Sequence, residues 1–214
     1  IETLKGADTS TWAGTFTPSA NTEDARNTRS LATSYTDTAG NAGPAATTEN
    51  YAVETLAPSV DNFTLSDTAL KAGDNATVTL RFSEAVVSFS SAADITADNG
   101  TLAAMSSADN ITWTGTFTPT ANTEDASNTL SLATSYTDTA GNAGASATTA
   151  NYAVETQAPT VSSISPTDNQ SSVSITDNIT VTFSEAMESS YVTTGTSDKN
   201  CAGSVRVSSD NYIT

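Results

Sequence analysis

The side chains of this sequence that could do chemistry are carboxylates. The 214 residues contain 24 Asp and Glu but no His, so the commonest general base and the commonest transition-metal ligand are missing. Carboxylates suit a cation site built from hard oxygen ligands, or a close pair that hydrolyses glycosidic bonds. The candidate ligands, mostly acids that recur at matching places, are Glu23, Asp24, Glu54, Glu84, Asp138, Asn142, Glu124, Asp125, Glu155 and Glu185.

A long internal repeat organises these residues. The segment Thr11–Pro18 recurs as Thr112–Pro119, and the same offset of 101 residues relates further segments as far as Ala186. Solenoid units are about 20–50 residues long, so a period of this length corresponds to whole domains. Because nearly identical acids recur in successive repeats, a single catalytic carboxylate pair is disfavoured, and we expect no enzyme.

The period also predicts the domain organisation. One complete module is expected over residues 58–158, preceded by the C-terminal half of a module over 1–57 and followed by the N-terminal half of another over 159–214. The third module departs from the second after Met187, which indicates a related subtype. We therefore expect the chain to be a segment of a longer protein.

Alternating apolar residues predict strands throughout the complete module. Ala76–Phe82, Ile111–Phe117 and Leu130–Tyr136 each place large apolar side chains on one face. Turn clusters separate these runs, and no segment has a sustained helical period. The pattern predicts an all-β, two-sheet sandwich. Its expected core is Val60, Phe63, Leu65, Val78, Leu80, Phe82, Trp113, Phe117, Leu132, Tyr136, Tyr152 and Val154, with Trp12 in the equivalent place of the first module.

Charge and composition exclude several partners. The formal net charge of −17 and the sequence pI near 4.1 oppose binding to nucleic acid and to anionic membranes. No apolar run approaches the roughly 20 residues that a membrane-spanning helix needs, so no membrane insertion is expected. The single cysteine, Cys201, excludes a disulfide within the chain.

These motifs together resemble a known family. The runs Phe82–Val86, Asn99–Leu102, Thr112–Pro119 and Tyr136–Asn142, followed by Ala158-Pro159, are similar to the bacterial Ig-like repeats of large surface adhesins and biofilm-associated proteins. The third module resembles the Ig-like module of S-layer proteins. The resemblance implies tandem immunoglobulin-like β-sandwich modules in a linear array, located outside the cell or on its surface.

In an immunoglobulin-like array, the repeated acids are expected to meet at the module junctions. The loop Asn21–Asp24, the exit residue Glu54 and the turn Asp138–Asn142 would then converge with Glu84 on the first junction. Glu124, Asp125, Glu155 and Glu185 would converge on the second. Ca²⁺ takes six to eight oxygen ligands, and the resemblance implies that it stiffens such arrays. The alternative is that these acids are solvated loop tips.

Cys201 leaves two interpretations open. It is an unpaired cysteine in a chain that is expected to be exported. The resemblance to S-layer modules implies a disulfide with a cysteine outside this chain, and the alternative is a buried free thiol. Catalytic use is disfavoured because no histidine is present to activate it.

The sequence therefore favours a non-catalytic extracellular stalk segment of a bacterial adhesin or fibre, with Ca²⁺ at its junctions. Its expected partners are neighbouring modules of the same protein. One alternative is an adhesin module that binds a glycan, a protein or a surface. Another is a filament subunit in which the two half modules of successive copies complete one another head to tail by strand complementation.

Overall fold

A computed structural model describes residues 4–6, 10–174, 176–193 and 204–205 of the chain. The chain forms two compact units, Ile1–Thr156 and Gln157–Thr214. We call residues 10–57 of the first unit the leading segment and residues 58–156 the central module. Cys201 lies outside the described residues, so its pairing stays a prediction.

The leading segment and the residues before it form three separate two-stranded antiparallel ladders. The ladders pair β1 with β2, β3 with β6 and β4 with β5. The strands are β1 (Lys5–Gly6), β2 (Trp12–Ala13), β3 (Glu23–Asn27), β4 (Ser30–Leu31), β5 (Ala46–Thr47) and β6 (Tyr51–Glu54).

The central module contains twelve strands and one helical turn among its described residues. They are β7 (Val60–Leu65), β8 (Ala69–Lys71), β9 (Ala76–Phe82), β10 (Val86–Val87), α1 (Ser91–Asp94), β11 (Ile95–Ala97), β12 (Gly100–Leu102), β13 (Thr112–Pro119), β14 (Glu124–Asn128), β15 (Leu130–Leu132), β16 (Thr137–Asp138), β17 (Ala147–Thr148) and β18 (Tyr152–Glu155). The expected strand Ala76–Phe82 is confirmed residue for residue, and the turn clusters lie between strands.

The strands form sheets that enclose one core. A four-stranded sheet has the order β12-β13-β9-β7, and three smaller sheets have the orders β14-β18-β8, β11-β15-β17 and β10-β16. All these pairs are antiparallel except β18 with β8. Because side chains alternate along β9, Val78, Leu80 and Phe82 lie on its inner face, where they are fully buried. The predicted all-β class and sandwich fold are confirmed.

Most of the predicted core is buried. Val60, Leu65 and Trp113 are only partly buried and pack against the rest. The prediction missed residues that join the same cluster, namely Leu70, Ala76, Val86, Met105 and Leu130. The expectation that Trp12 belongs to a core is wrong, because 62% of its surface is exposed. The physical reason is that the described residues around Trp12 supply no opposing sheet.

Two further expectations need correction. The predicted strand Leu130–Tyr136 ends at Leu132, where the next backbone N–H, that of Ala133, bonds to the carbonyl of Asp94 at the end of α1. Each of the two segments expected to be an acidic loop, residues 21–24 and 122–125, is strand over its second half. Glu23 and Asp24 begin β3, and Glu124 and Asp125 begin β14, because a tight turn with positive φ at Asn21 and Asn122 completes each loop earlier.

The second unit contains one described hairpin, formed by β19 (Val161–Ser165) and β20 (Thr180–Phe183). Its register pairs Val161 with Phe183 and Ile164 with Val181. A bulge interrupts the ladder directly after Val161, at the place where β7 carries its own bulge after Val60. The hairpin therefore repeats the β7–β9 hairpin of the central module.

Candidate functional site

The turn at Asp138, which belongs to the predicted first junction, is closed by hydrogen bonds from Asn142. The backbone N–H of Asn142 donates to Asp138 Oδ1 at 2.9 Å, and its side-chain amide donates to Oδ2 at 2.7 Å. Gly141 has a φ of 95°, which a residue with a side chain rarely adopts. The turn role is confirmed, because Thr137 and Ala143 form a bridge across it.

Hydrogen bonds decide the direction in which the pKa of Asp138 is shifted. Burial of Asp138, a residue that is only 1% exposed, would by itself raise the pKa of its carboxyl group. The hydrogen bonds from the side chain and backbone of Asn142 outweigh that effect, so the pKa of Asp138 lies below its usual value. Asp138 is therefore an ionised, internally bonded carboxylate, and both of its oxygens already accept hydrogen bonds.

Residues 54–58 form the linker at the boundary of the leading segment and the central module, and hydrogen bonds hold this linker from several sides. The hydroxyl of Thr55 donates to the carbonyl of Ser19 at 2.7 Å and accepts the N–H of Thr22 at 3.0 Å. Glu54 Oε1 accepts the N–H of Leu56 at 2.7 Å. From the other side, the amide of Asn142 reaches the carbonyl of Leu56 at 3.5 Å. The linker is thus bonded to both of the segments that it joins.

Three of the predicted ligands, Asp138, Glu54 and Glu23, lie close enough to Glu84 to act on it electrostatically. Burial raises the pKa of Glu84 above its usual value, and the negative charges of Asp138, Glu54 and Glu23 raise it further. Glu23 and Glu54 are also direct partners in the β3–β6 ladder. Like charges placed directly opposite each other destabilise a sheet, so this end of the leading segment carries unfavourable charge repulsion.

Asp24 does not join this group. Its Oδ1 accepts the N–H of Arg26 at 2.8 Å, which stabilises the irregularity in β3 between Asp24 and Asn27. The part of the chain that the structure describes contains no group of three or more His, Cys, Asp or Glu positioned to hold a metal ion. The carboxylates are therefore close enough to repel one another without forming a finished coordination shell.

Three acids of the predicted second junction, Glu124, Asp125 and Glu155, already pair or hydrogen-bond within the central module. Glu124 and Glu155 are direct partners in the β14–β18 ladder, as Glu23 and Glu54 are one period earlier. Asp125 Oδ2 accepts the side-chain amide of Asn99 at 2.8 Å, and its Oδ1 accepts the N–H of Ser127 at 2.9 Å. Glu185 follows β20 in the second unit, and its place in a site with these acids stays a prediction.

Sequence reasoning overlooked the threonine that follows each exit strand. Thr156 repeats the bonds of Thr55: its hydroxyl donates to the carbonyl of Thr120 at 2.6 Å and accepts the N–H of Thr123 at 3.0 Å. The recurrence of Thr55 as Thr156 at the period of 101 was the available signal. The identity of the acceptor carbonyls could not be read from the sequence.

A surface concavity of the central module beside Thr156 offers little for a small ligand. One open concavity of about 230 Å³ is formed by loop and strand residues with small side chains. Its lining is Ala72, Gly73, Asp74, Asn75, Thr118, Pro119, Ala121 and Thr156, without an aromatic ring on which a sugar could stack. In the described part of the chain, no helix has the length and apolar character required to cross a membrane.

Comparison with known families covers nearly the whole chain. One family model, described as a bacterial Ig-like domain, matches residues 1–53 and 54–154, and a second model with the same description matches residues 155–213. No curated protein and no solved structure matches the chain. Such domains are generally non-enzymatic and typically lie on or outside the cell surface. The predicted resemblance is confirmed at this level, and the chain belongs to the bacterial Ig-like domain family.

Proposed function

We propose that this chain is a non-catalytic stalk segment of a bacterial surface adhesin or fibre, in which Ca²⁺ at the module junctions adds stiffness. The observation that carries the proposal is the linker before the central module. Its hydroxyl, carboxylate and carbonyl groups bond to the leading segment and to the turn at Asp138. A linker bonded in this way restricts rotation of one module against the next, which a stalk needs.

The linker's sequence supports the same role. Pro58 is buried and fixes its own φ, and it biases Ala57 towards an extended conformation. Residues Thr55 and Leu56 are held by hydrogen bonds, so few backbone torsions between the modules stay unrestrained. The recurrence of the Thr55 bonds at Thr156 supports a similar hold on the exit strand of each module.

Charge repulsion supports the calcium part of the proposal. Glu23 faces Glu54 across a ladder, and the nearby charges raise the pKa of Glu84. A divalent cation would relieve this repulsion, and Ca²⁺ accepts carboxylate, carbonyl and water oxygens in flexible geometries. Carboxylates that repel one another in the absence of a cation would need only small side-chain movements to share it.

Thermal unfolding with Ca²⁺ and with a chelator tests this proposal. A ligand that binds only the folded state raises the melting temperature, so the chain is expected to melt higher in Ca²⁺ than in chelator. Small-angle scattering of the same samples should give a narrower distribution of dimensions in Ca²⁺. Equal melting curves and equal scattering would contradict the calcium role and leave the linker bonds as the only source of stiffness.

The variant Glu84→Gln sharpens the test because it should raise the melting temperature in chelator and reduce the increase that Ca²⁺ causes. A raised pKa means that ionised Glu84 destabilises the fold. The stability of the fold is therefore greatest below the unfolded pKa of Glu84 and falls as pH rises through its folded pKa. Glu84→Gln should therefore melt higher than the parent at pH 7 in chelator, yet show a smaller shift with Ca²⁺. The matched control is Glu49→Gln, which removes an exposed carboxylate of the leading segment and should leave the Ca²⁺ shift unchanged.

A further inference from the structure

The turn between β11 and β12 contains the one Asn-Gly pair of the sequence, Asn99-Gly100. Asparagine followed by glycine is prone to deamidation, because no Cβ hinders the glycine nitrogen when it attacks the asparagine side chain. Each residue of the pair has its own structural reason. Asn99 has a φ of 45°, which asparagine tolerates better than most residues, and a Cβ on Gly100 would lie 2.0 Å from the ring of Phe117. The fold therefore favours a chemically labile pair at this turn.

Hydrogen bonds hold Asn99 in place in the folded module. Its side-chain amide nitrogen donates to Asp125 Oδ2 at 2.8 Å and to Asn128 Oδ1 at 2.7 Å. Its backbone carbonyl accepts the N–H of Thr120 at 2.9 Å. Deamidation expels the side-chain nitrogen as ammonia, so both of its hydrogen bonds have to break. The native bonds of Asn99 therefore oppose the reaction that its sequence favours.

The two acceptors around Asn99 suit an amide and not a carboxylate. The amide nitrogen of Asn128 donates to the carbonyls of Asp125 and Tyr152, at 2.8 and 3.1 Å, so only its oxygen is left to face Asn99. The carboxylate of Asp125 is an acceptor as well. A carboxylate at position 99 would therefore face two acceptors without a donor between them. If it turned away, the oxygen of Asn128, a residue that is 1% exposed, would lose this donor.

We propose that Asn99-Gly100 is a deamidation site that reacts only when the turn between β11 and β12 unfolds, and that the modified module cannot rebuild its native hydrogen bonds. The backbone nitrogen of Gly100 attacks the side-chain carbonyl carbon of Asn99, and ammonia leaves. One water molecule then opens the succinimide ring to aspartate or isoaspartate, and no oxidant or reductant takes part. Each such event adds one negative charge, and unfolding thus leaves a permanent chemical mark on the module.

Two other asparagines of the central module have the same backbone conformation without the glycine. Asn110 and Asn122 have φ values of 58° and 54°, but Ile111 and Thr123 follow them. A β-branched side chain is stiff and crowds its own backbone nitrogen, which hinders the attack. Asn110 and Asn122 should therefore stay unmodified under conditions that convert Asn99. They separate the effect of Gly100 from that of the positive φ within one chain.

Peptide mapping by mass spectrometry tests the site and its dependence on unfolding. The full chain is incubated at pH 8 with and without guanidinium chloride, and conversion of each asparagine is followed over time. Denaturant should speed conversion of Asn99 at least about tenfold, because the folded chain reacts only through its small open population. In native buffer, Asp125→Ala should speed conversion, whereas Glu124→Ala, which removes a neighbouring acid that does not bond to Asn99, should not. Equal rates with and without denaturant, or equally fast conversion of Asn110 and Asn122, would overturn the proposal.

Thermal unfolding of Asn99→Asp measures the consequence separately from the rate. This variant should melt lower than the parent by about 4–8 °C at pH 7, the shift typical when a domain of about 100 residues loses one buried hydrogen bond. Asn122→Asp is the matched control, since it makes the same charge change at an exposed asparagine with a similar φ and should have little effect. The chain converted in denaturant and then refolded should also melt below the unmodified chain. Equal melting of Asn99→Asp and its parent, or an equal loss for Asn122→Asp, would contradict the proposed consequence.

Discussion

The same eight-residue motif occurs in two different structural settings. Residues 11–18 and 112–119 differ only at Ala13 and Thr114, yet the first contains a two-residue strand and the second is strand throughout. β13 has β9 on one side and β12 on the other, whereas β2 pairs only with β1 among the residues that the structure describes. A strand exists where partners complete its ladder, so local sequence alone does not determine its length.

The same pair of regions shows how burial restricts residue type. Leu130 is fully buried in the central module, and its equivalent in the leading segment is Arg29. The guanidinium of Arg29 lies over the ring of Phe16, 3.6 Å from its centroid, where its charge stays partly hydrated. A charged side chain without a partner would be costly at the position of Leu130. Arg29 thus occupies a position in the leading segment whose equivalent in the central module, Leu130, is fully buried.

Hairpins and turns formed by residues close together in the sequence are the same in the leading segment and in the central module. The ladder of β3 with β6 and that of β14 with β18 have equivalent registers and the same irregularity. The turns at Asp37 and Asp138 have the same hydrogen bonds from the asparagine four residues later. Local hairpins and turns therefore form without the opposing sheet, while extended strands and a closed core require it.

The largest difference between the regions is expected for the equivalent phenylalanines. Phe117 is fully buried against Tyr152, with ring centroids 5.2 Å apart, whereas Phe16 is 40% exposed beside Tyr51. Phe117→Ala should lower the free energy of unfolding of the central module by about 3–5 kcal/mol, as cavity-forming core substitutions do. Phe16→Ala should cost less than about 1 kcal/mol, because exposed side chains lose little burial.

Urea denaturation of dilute protein, followed by Trp113 emission in a Trp12→Phe background, measures both effects. Equal losses for the two variants would mean that the leading segment is as well covered as the central module.

The sequence predicted the parts of the fold that follow from periodicity. The alternation in Ala76–Phe82 predicted β9 correctly, and the offset of 101 residues related the modules. It could not predict that Trp12 is exposed, because exposure depends on an opposing sheet and not on the alternation around Trp12. It also placed Asp24 in a loop, since the positive φ at Asn21, which ends the turn early, leaves no distinct mark in an Asn-rich sequence.

A smaller difference is expected for two equivalent glycines. A Cβ on Gly144 would lie 2.0 Å from the ring of Tyr136, which is fully buried, and one on Gly43 would lie 2.1 Å from the ring of Tyr35. Tyr35 is 42% exposed, so we expect its ring to shift towards solvent. Gly144→Ala should therefore destabilise the central module by about 1–3 kcal/mol, as overpacking does, and Gly43→Ala should have a much smaller effect on unfolding. The same urea titrations measure both, and a comparable loss for Gly43→Ala would indicate that Tyr35 is held as firmly as Tyr136.

The smallest difference is expected for Asp37 and Asp138, and it depends on pH. Hydrogen bonds from Asn41 lower the pKa of exposed Asp37, and those from Asn142 lower the pKa of buried Asp138 against the opposing effect of its burial. A lowered pKa means that each carboxylate stabilises the fold above the unfolded value near 3.8 and loses that contribution as pH falls through the folded value.

Asp138→Asn should cost about 1 kcal/mol at pH 7, because one accepting oxygen becomes an amide facing the donor of Asn142. Its deficit should shrink below pH 4, whereas Asp37→Asn should have little effect at either pH because water replaces the lost acceptor. Urea unfolding at pH 7 and pH 3 measures the contrast, and a deficit for Asp138→Asn that is independent of pH would show that its ionisation does not contribute to stability.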